Sequence, residues 1–204
     1  MANLIYLKVI FFIIMTFEKE KEDFLSKKDK SRKGSVDKEI IKLVSAINKQ
    51  PTYYTKSSCA GRIVLLHKKS DKKQHAQWLF CKHGTVHLRE IKNALKSIPS
   101  GEVWFKQEPL IMHVCCKTID DAVQLLNKTK GYFKRSGIIG VKNHITLEII
   151  GTDSLDTLIA LDGKLLISEE YLKVLIIEAN KKIKRNGKKI KEYSILLSSE
   201  LLWQ

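Results

Sequence analysis

The sequence is short of acidic residues, and this shortage is the first indication of what the protein binds. Its 204 residues include 37 Lys and Arg but only 22 Asp and Glu, which gives a formal net charge of +15. Most of this charge must lie at the surface, because burying unpaired ammonium groups is prohibitive. A surface of this sign attracts polyanions, and nucleic acid is the commonest polyanion in a cell. The alternative is the Lys-rich usage of an AT-biased or thermophilic genome, although thermophilic proteins usually gain Glu together with Lys.

Cysteine is also scarce, and its spacing argues against disulfides. The four cysteines are Cys59, Cys81, Cys115 and Cys116, and no two of them form a Cys-x-x-Cys pair. Cys115 and Cys116 are neighbours in a predicted strand, where adjacent side chains point to opposite faces. This usage is typical of mostly buried, inert thiols in a reducing cytosol, so we expect a cytoplasmic protein.

Beyond its first residues, the chain has no long apolar run and no low-complexity linker. Residues 4–15 are almost wholly apolar but include Lys8, and they are far too few for a membrane-spanning helix. They have no cationic start and no small-residue cleavage site, and a charged run follows directly at 18–23. We expect residues 1–15 to be an extension outside the fold and residues 16–204 to form one domain. A membrane anchor is the alternative interpretation of the apolar start.

The order of periodic segments predicts an α+β fold. Apolar residues at helical spacing predict helices at 16–28, 36–49, 86–98, 118–133 and 168–185, with a last helix ending near 203. Shorter segments predict strands at 52–55, 61–67, 76–82, 102–107, 110–117, 137–141, 144–150 and 157–161. We expect a single compact unit with one mixed β-sheet flanked by helices. No Gly-x-Gly-x-x-Gly follows a predicted strand, which argues against a Rossmann fold.

The segment at 53–63 combines aromatic, hydroxyl-bearing and cationic residues. Its order is Tyr53-Tyr54-Thr55-Lys56-Ser57-Ser58-Cys59-Ala60-Gly61-Arg62-Ile63. It predicts a loop between two strands, whose backbone N–H groups and hydroxyls surround an anion or a polar ligand. Arg62 would add a planar fork of donors, and the two tyrosines are suited to stacking on bases. Composition alone favours the alternative of an ordinary Ser-rich turn.

This segment and an earlier one together resemble the tRNA wybutosine-synthesising protein 3 family. The family has an Asp-x-Ser-x-Lys-Gly-x-x-Asp stretch, a helix ending in Ile-Asn, and a Thr-Ser-Ser-Cys-Ser-Gly-Arg-Ile segment. The matching positions are Asp29, Ser31, Lys33, Gly34, Asp37, Ile47, Asn48 and residues 57–63. The resemblance continues through Trp78, His83, residues 109–114, residues 133–138 and Asn180. The departures from the family pattern are Lys56, Ala60 and Tyr132.

The resemblance implies an S-adenosylmethionine-dependent tRNA methyltransferase. Its target would be N4 of the 7-aminocarboxypropyl-demethylwyosine base at position 37 of tRNA-Phe, in the anticodon loop. Because no Rossmann turn is present, any S-adenosylmethionine site must be built differently. A non-catalytic module that binds tRNA and assists other tRNA-modifying enzymes is the alternative.

Methyl transfer needs an aligned nucleophile and sulfonium and a group that accepts the proton. The candidate catalytic bases are Asp29, Asp37 and His83. The candidate ligands of substrate or cofactor are Ser31, Lys33, Ser57, Ser58, Cys59, Gly61, Arg62, Lys134, Arg135 and Ser136. Zinc-ligand types also occur at Cys81, His83 and His87, with His75 nearby. Nothing supplies a convincing fourth ligand, so we expect no metal.

Overall fold

Residues 16–27, 35–69, 76–142 and 144–199 are described by the computed structural model, and they form an α+β protein. The class is confirmed, and no Rossmann sheet occurs among these residues. The sequence predicts one mixed sheet, whereas the strands form two separate sheets of four and five strands. The predicted extension at 1–15 and the candidates Asp29, Ser31 and Lys33 lie outside the described residues.

The secondary-structure elements alternate along the chain. The helices are α1 (16–25), α2 (Ile41–Asn48), α3 (Leu88–Ala94), α4 (Ile119–Lys130) and α5 (Glu169–Ser198), with a 3-10 helix at Lys38–Ile40. The strands are β1 (Tyr53–Cys59), β2 (Arg62–Lys68), β3 (Ala76–Lys82), β4 (Glu102–Glu108), β5 (Ile111–Cys116), β6 (Gly137–Gly140), β7 (Ile145–Ile150), β8 (Leu155–Leu161) and β9 (Lys164–Leu165). Most predicted strands recur with shifted ends, and the short strand β9 is additional.

Contacts divide the chain into two compact units. The first unit contains residues 16–27, 35–58, 111–142, 144–150 and 192–199. The second unit contains residues 59–69, 76–110 and 151–191. Because the chain passes between the units four times, no single cut in the sequence separates them. The sequence contains no linker that would indicate two units, and only the contacts within the fold distinguish them.

The first unit has its sheet strands in the order β1-β5-β7-β6. Tyr53 and Tyr54 of β1 are buried in its core, so the prediction that they stack on bases is wrong. The Tyr53 hydroxyl donates to the Asp121 carbonyl oxygen of α4 at 2.9 Å. The Tyr54 ring packs on α1, with centroids 5.5 Å from Phe17 and 5.4 Å from Phe24. Consecutive strand residues face opposite sides, and helices cover both sides here.

The second unit has its strands in the order β3-β2-β4-β8-β9, and every pairing is antiparallel. Its core is formed by apolar side chains of β2, β4, β8, α3 and the first part of α5. The fully buried members include Ile63, Leu65, Ile91, Val103, Phe105, Ile159 and Ala179. None of the described helices is both long and apolar enough to cross a membrane.

One continuous helix, α5, replaces the two helices predicted near the C-terminus. Gly187 favours a break in the sequence, because glycine in a helix interior costs about 1 kcal/mol relative to alanine. The helix continues through it because Asn186 and Ile190 on either side are buried and packed. Tertiary contacts therefore outweigh the local preference of one residue.

No disulfide joins any of the four cysteines, all of which lie within the described residues. Cys115 and Cys116 are buried, and burial raises the pKa of both thiols, that of Cys116 to about 12. These two thiols are therefore protonated and inert at neutral pH, as the sequence predicts. Cys59 is half-buried and Cys81 is exposed, so the prediction of burial does not extend to Cys81.

Candidate active site

The predicted binding loop at 57–62 is mostly strand. β1 continues through Ser57 and Ser58, and β2 begins at Arg62, so only residues 60–61 turn the chain. The prediction of a loop at Ser57 and Ser58 is wrong, because both residues belong to β1, which pairs with β5. Adjacent strand residues face opposite ways, so these two hydroxyls do not face the same ligand.

In the first unit, Ser57 belongs to a row of three hydrogen-bonded side chains, which we call the hydroxyl cluster. Ser57 Oγ lies 2.8 Å from His113 Nδ1, and His113 Nε2 lies 3.1 Å from Glu148 Oε2. A carboxylate accepts only, so Nε2 carries a proton and donates it to Glu148. In the neutral ring, Nδ1 then accepts the hydrogen bond that the Ser57 hydroxyl donates. The lone pairs of this exposed Ser57 hydroxyl remain as acceptors.

Strand order explains how the hydroxyl cluster forms. β1, β5 and β7 are neighbours in that order, and His113 pairs directly with Glu148 across β5 and β7. Side chains opposite each other on one face lie within contact distance. His113 has no assigned role in the sequence analysis and Glu148 is missed, because only the register between strands brings them to Ser57.

In the second unit, the turn at residues 60–61 depends on glycine. Gly61 has φ of +99°, and a Cβ there would lie 2.7 Å from the Glu108 carbonyl oxygen and 3.0 Å from the Pro109 carbonyl carbon. Only glycine accommodates both the backbone angle and this approach. Gly61 is therefore a structural requirement of the turn, whatever ligand lies beside it.

A buried amide fixes the same turn. Asn186 Nδ2 of α5 donates to the Ala60 carbonyl oxygen at 2.7 Å, and Asn186 Oδ1 accepts from the Leu110 N–H at 2.9 Å. Both halves of the side chain are satisfied by backbone groups, as burial requires. Asn186 thereby joins α5 to the turn and to the segment that follows β4. In the sequence, Asn186 stands before Gly187, and this pair is typical of a helix end. The sequence therefore gives no indication that Asn186 fixes the turn.

Arg62 lies in a group that we call the arginine cluster, formed with Glu108 and Trp78. Its Nε donates to Glu108 Oε2 at 2.6 Å, and its guanidinium carbon lies 4.3 Å from the Trp78 ring centroid. Burial alone would lower the pKa of Arg62, but the hydrogen bond and charge of Glu108 outweigh it and raise that pKa. Within the described chain, nothing accepts from the two Nη nitrogens. They present the fork that a carboxylate or phosphate binds.

His83 lies beside the same turn. Its Nδ1 is 3.1 Å from the Gly61 carbonyl oxygen and 3.9 Å from Cys59 Sγ. A carbonyl only accepts, so Nδ1 carries a proton, and in the neutral ring the lone pair is on Nε2. This geometry suits His83 to accept a proton.

The remaining candidates have different surroundings. Asp37 is buried at the start of the 3-10 helix. Ser136 is buried and its Oγ accepts from the Ile150 N–H at 3.2 Å, which favours a structural role. Lys134 and Arg135 are exposed between α4 and β6.

The two units thus divide the predicted site residues. The first unit contains Asp37, Ser57, Ser58, Lys134, Arg135 and Ser136, and the second contains Cys59, Gly61, Arg62 and His83. The structure brings Cys59, Gly61 and His83 together.

Comparison with known proteins identifies relatives along most of the chain. The family model described as Methyltransferase TYW3 matches residues 19–199. The tRNA wybutosine-synthesizing protein 3 homolog of Danio rerio is 38% identical over 194 residues, covering 91% of this chain and 76% of the relative. The tRNA(Phe) 7-((3-amino-3-carboxypropyl)-4-demethylwyosine(37)-N(4))-methyltransferase 1 of Pyrococcus furiosus is 37% identical over 175 residues, covering 84% and 89%. A solved structure of a Pyrococcus horikoshii protein has a TM-score of 0.82 at 35% identity, covering 91% of this chain and 97% of that chain.

Proposed function

Because the chain belongs to the Methyltransferase TYW3 family, we propose that it transfers a methyl group from S-adenosylmethionine to N4 of 7-aminocarboxypropyl-demethylwyosine at position 37 of tRNA-Phe. The observation that carries this proposal is the family match over residues 19–199, together with a relative of 37% identity named for that reaction. The excess of basic residues supports a nucleic-acid substrate. A tRNA substrate and four cysteines that form no disulfide support a cytoplasmic location.

The arginine cluster fits the carboxylate of the methyl donor. When bound, S-adenosylmethionine supplies an electrophilic methyl group on a sulfonium. The Nη nitrogens of Arg62 are a planar pair of donors, and Glu108 and Trp78 hold the guanidinium in place. A bidentate contact with a carboxylate both binds and orients it.

The hydroxyl cluster suits a ligand group that donates a hydrogen bond. His113 accepts the Ser57 proton, and the Ser57 oxygen then offers its lone pairs to an N–H or O–H group of the base or of the methyl donor. Glu148 fixes the ring of His113 and so keeps the hydroxyl in this orientation.

His83 takes the proton that N4 loses when the new bond to carbon forms. In the neutral ring whose Nδ1–H donates to the Gly61 carbonyl, Nε2 is the nitrogen that can take up a proton. General-base catalysis contributes about 10²- to 10⁴-fold. His83→Gln should therefore lower kcat by about 10²-fold with little change in the KM for tRNA. His144→Gln, another partly exposed histidine, is the matched control.

The function is tested by methylation of tRNA-Phe that carries the demethylated base. Purified protein and S-adenosylmethionine should add one methyl group, detected by mass spectrometry of the released nucleoside. The same tRNA with an unmodified guanosine at position 37 should gain none. Tight binding of tRNA without binding of S-adenosylmethionine would instead identify a non-catalytic module and overturn the proposal.

A further inference from the structure

The middle of α5 is the most basic part of the chain. Residues 181–191 include seven basic residues and no acidic residue. Four of the seven lie at positions separated by three, four and three residues, which places them in one row along a helix. These are Lys181, Lys184, Lys188 and Lys191, and all four are exposed. We call this row the lysine stripe.

Two of the other three basic residues of the segment, Arg185 and Lys189, have a structural role. Arg185 Nη1 and Lys189 Nζ lie 3.1 Å and 3.0 Å from the two carboxylate oxygens of Asp153. The Asp153 side chain is only 13% exposed. Burial by itself would raise the pKa of Asp153, but the hydrogen bond from Lys189 and the charges of Lys189 and Arg185 lower it. These two cations therefore hold α5 to the segment between β7 and β8.

The segment that carries the lysine stripe has no acidic residue of its own to neutralise it. Lys181 pairs with Glu178 at 3.4 Å, but both side chains are well exposed, and such pairs contribute about 0–1 kcal/mol. Lys184 and Lys191 form no ion pair with any residue in the described ranges. Lys184 and Lys191 therefore keep their charges unneutralised, and the segment as a whole is strongly cationic.

The segment also lacks an exposed apolar side. Ile183 and Ile190 are both buried against the core. An amphipathic helix that lies on a membrane needs an apolar face to insert, and this segment exposes only polar and charged side chains and Gly187. The chemistry of the stripe therefore fits a hydrophilic polyanion better than a lipid surface.

The lysine stripe is tied to the candidate site through Asn186. This buried residue lies between Lys184 and Lys188 and contacts the Ala60 carbonyl and the Leu110 N–H. The stripe therefore has a fixed place relative to the turn at residues 60–61, next to Arg62. A polymer held by the stripe would lie at a defined distance from that turn.

We infer that the lysine stripe binds the sugar-phosphate backbone of the tRNA substrate. The inference rests on the proposed function and deepens it by naming the surface that holds the RNA. The stripe spans ten residue steps, which is about 15 Å at 1.5 Å per residue, and this length meets several consecutive phosphates. Such contacts fix the position of the RNA without reading its sequence.

The test replaces all four stripe lysines by Gln, which keeps helix propensity and removes four charges. The control replaces four exposed lysines elsewhere, Lys42, Lys49, Lys96 and Lys164, in the same way. A third variant replaces the stripe lysines by Arg. Affinity for tRNA-Phe is measured between low and moderate salt, with thermal unfolding followed in parallel. Two pairwise variants, Lys181→Gln with Lys184→Gln and Lys188→Gln with Lys191→Gln, serve if the fourfold variant does not fold.

Each phosphate contact contributes about 0.7 to 0.9 to the slope of log affinity against log salt. The stripe variant should therefore lower the slope by about 3 and the affinity by at least about tenfold. The control variant should change the salt slope and the affinity much less. The Arg variant should keep the wild-type slope and affinity. If the stripe and control variants lose equal tRNA affinity while the wild-type protein still methylates the modified tRNA, the inference is overturned but the proposed function stands. Wild-type protein that neither binds nor methylates this tRNA would overturn the proposed function as well.

Vesicles of phosphatidylserine and phosphatidylcholine provide the remaining comparison. The stripe variant should bind these vesicles as well as the wild-type protein does. Loss of vesicle binding in the stripe variant, with tRNA binding unchanged, would assign the stripe to a membrane and overturn the inference.

Discussion

The hydroxyl cluster of the first unit and the turn of the second unit hold their functional groups in different ways. Ser57 is held by His113, which Glu148 holds in turn, and all three side chains are partly open to solvent. The turn at residues 60–61 is held by a backbone angle that only glycine adopts readily and by a buried amide. Changes in the first group should therefore affect catalysis more than folding, whereas changes in the second should affect folding first.

The largest expected effect is on the turn. Gly61→Ala places a Cβ 2.7 Å from the Glu108 carbonyl oxygen at a φ of +99°. Backbone strain and overpacking each cost about 1–3 kcal/mol, so the free energy of unfolding should fall by about 3 kcal/mol. Urea denaturation measures it. An unfolding free energy equal to that of the wild type would contradict the geometry assigned to the turn.

Arg62→Lys tests the part of the second unit that can lose function without losing its fold. Lys keeps the charge beside Glu108 but cannot present two parallel donors as well. Hydrogen bonds to charged groups contribute about 1.5–3 kcal/mol, so affinity for S-adenosylmethionine should fall by roughly 10- to 100-fold. Isothermal titration calorimetry measures it, and Arg89→Lys, at an exposed position of α3, is the control. Unchanged affinity would remove Arg62 from the binding site.

His113→Ala tests the first unit. Without His113 the Ser57 hydroxyl loses its acceptor and its orientation, which should cost about 1–2 kcal/mol in transition-state stabilisation, or roughly 5- to 30-fold in kcat/KM. Ser57→Ala should cost the same, and the double variant no more, because both changes remove one interaction. Ser58→Ala combined with His113→Ala should instead be additive, since Ser58 faces the other way. Additive losses for Ser57 and His113 would refute the cluster.

The smallest expected effect is opposite in sign. A Cβ at Gly187 would meet nothing within 4 Å, so Gly187→Ala should raise the free energy of unfolding by about 0.5–1 kcal/mol. The contrast with Gly61→Ala separates a glycine needed for its conformation from one that merely tolerates a helix. Urea denaturation measures this change as well. A lower free energy of unfolding for Gly187→Ala would contradict a regular helix at residue 187.

Local features of this protein could be predicted from its sequence. The capping box of α4 is an example, because Thr118 and Asp121 are three residues apart and bond each other's backbone N–H groups at 2.9 Å and 3.1 Å. The strand at Ala76–Lys82 and the family motifs at residues 57–63 are likewise contained in short segments. Such motifs identified Arg62 and His83 as candidates. They did not predict the partners of these residues, Glu108 and the Gly61 carbonyl oxygen.

The sequence alone predicts the net charge, the α+β class, the inertness of Cys115 and Cys116, and the family that its motifs resemble. These depend on composition and on spacings of a few residues, which act within one segment. Tertiary contacts were needed to bury Tyr53 and Tyr54, to bring Ser57 to His113 and His113 to Glu148, and to continue α5 through Gly187. These outcomes depend on strand order, register and packing between distant segments, whose contacts outweigh local preferences of about 1 kcal/mol.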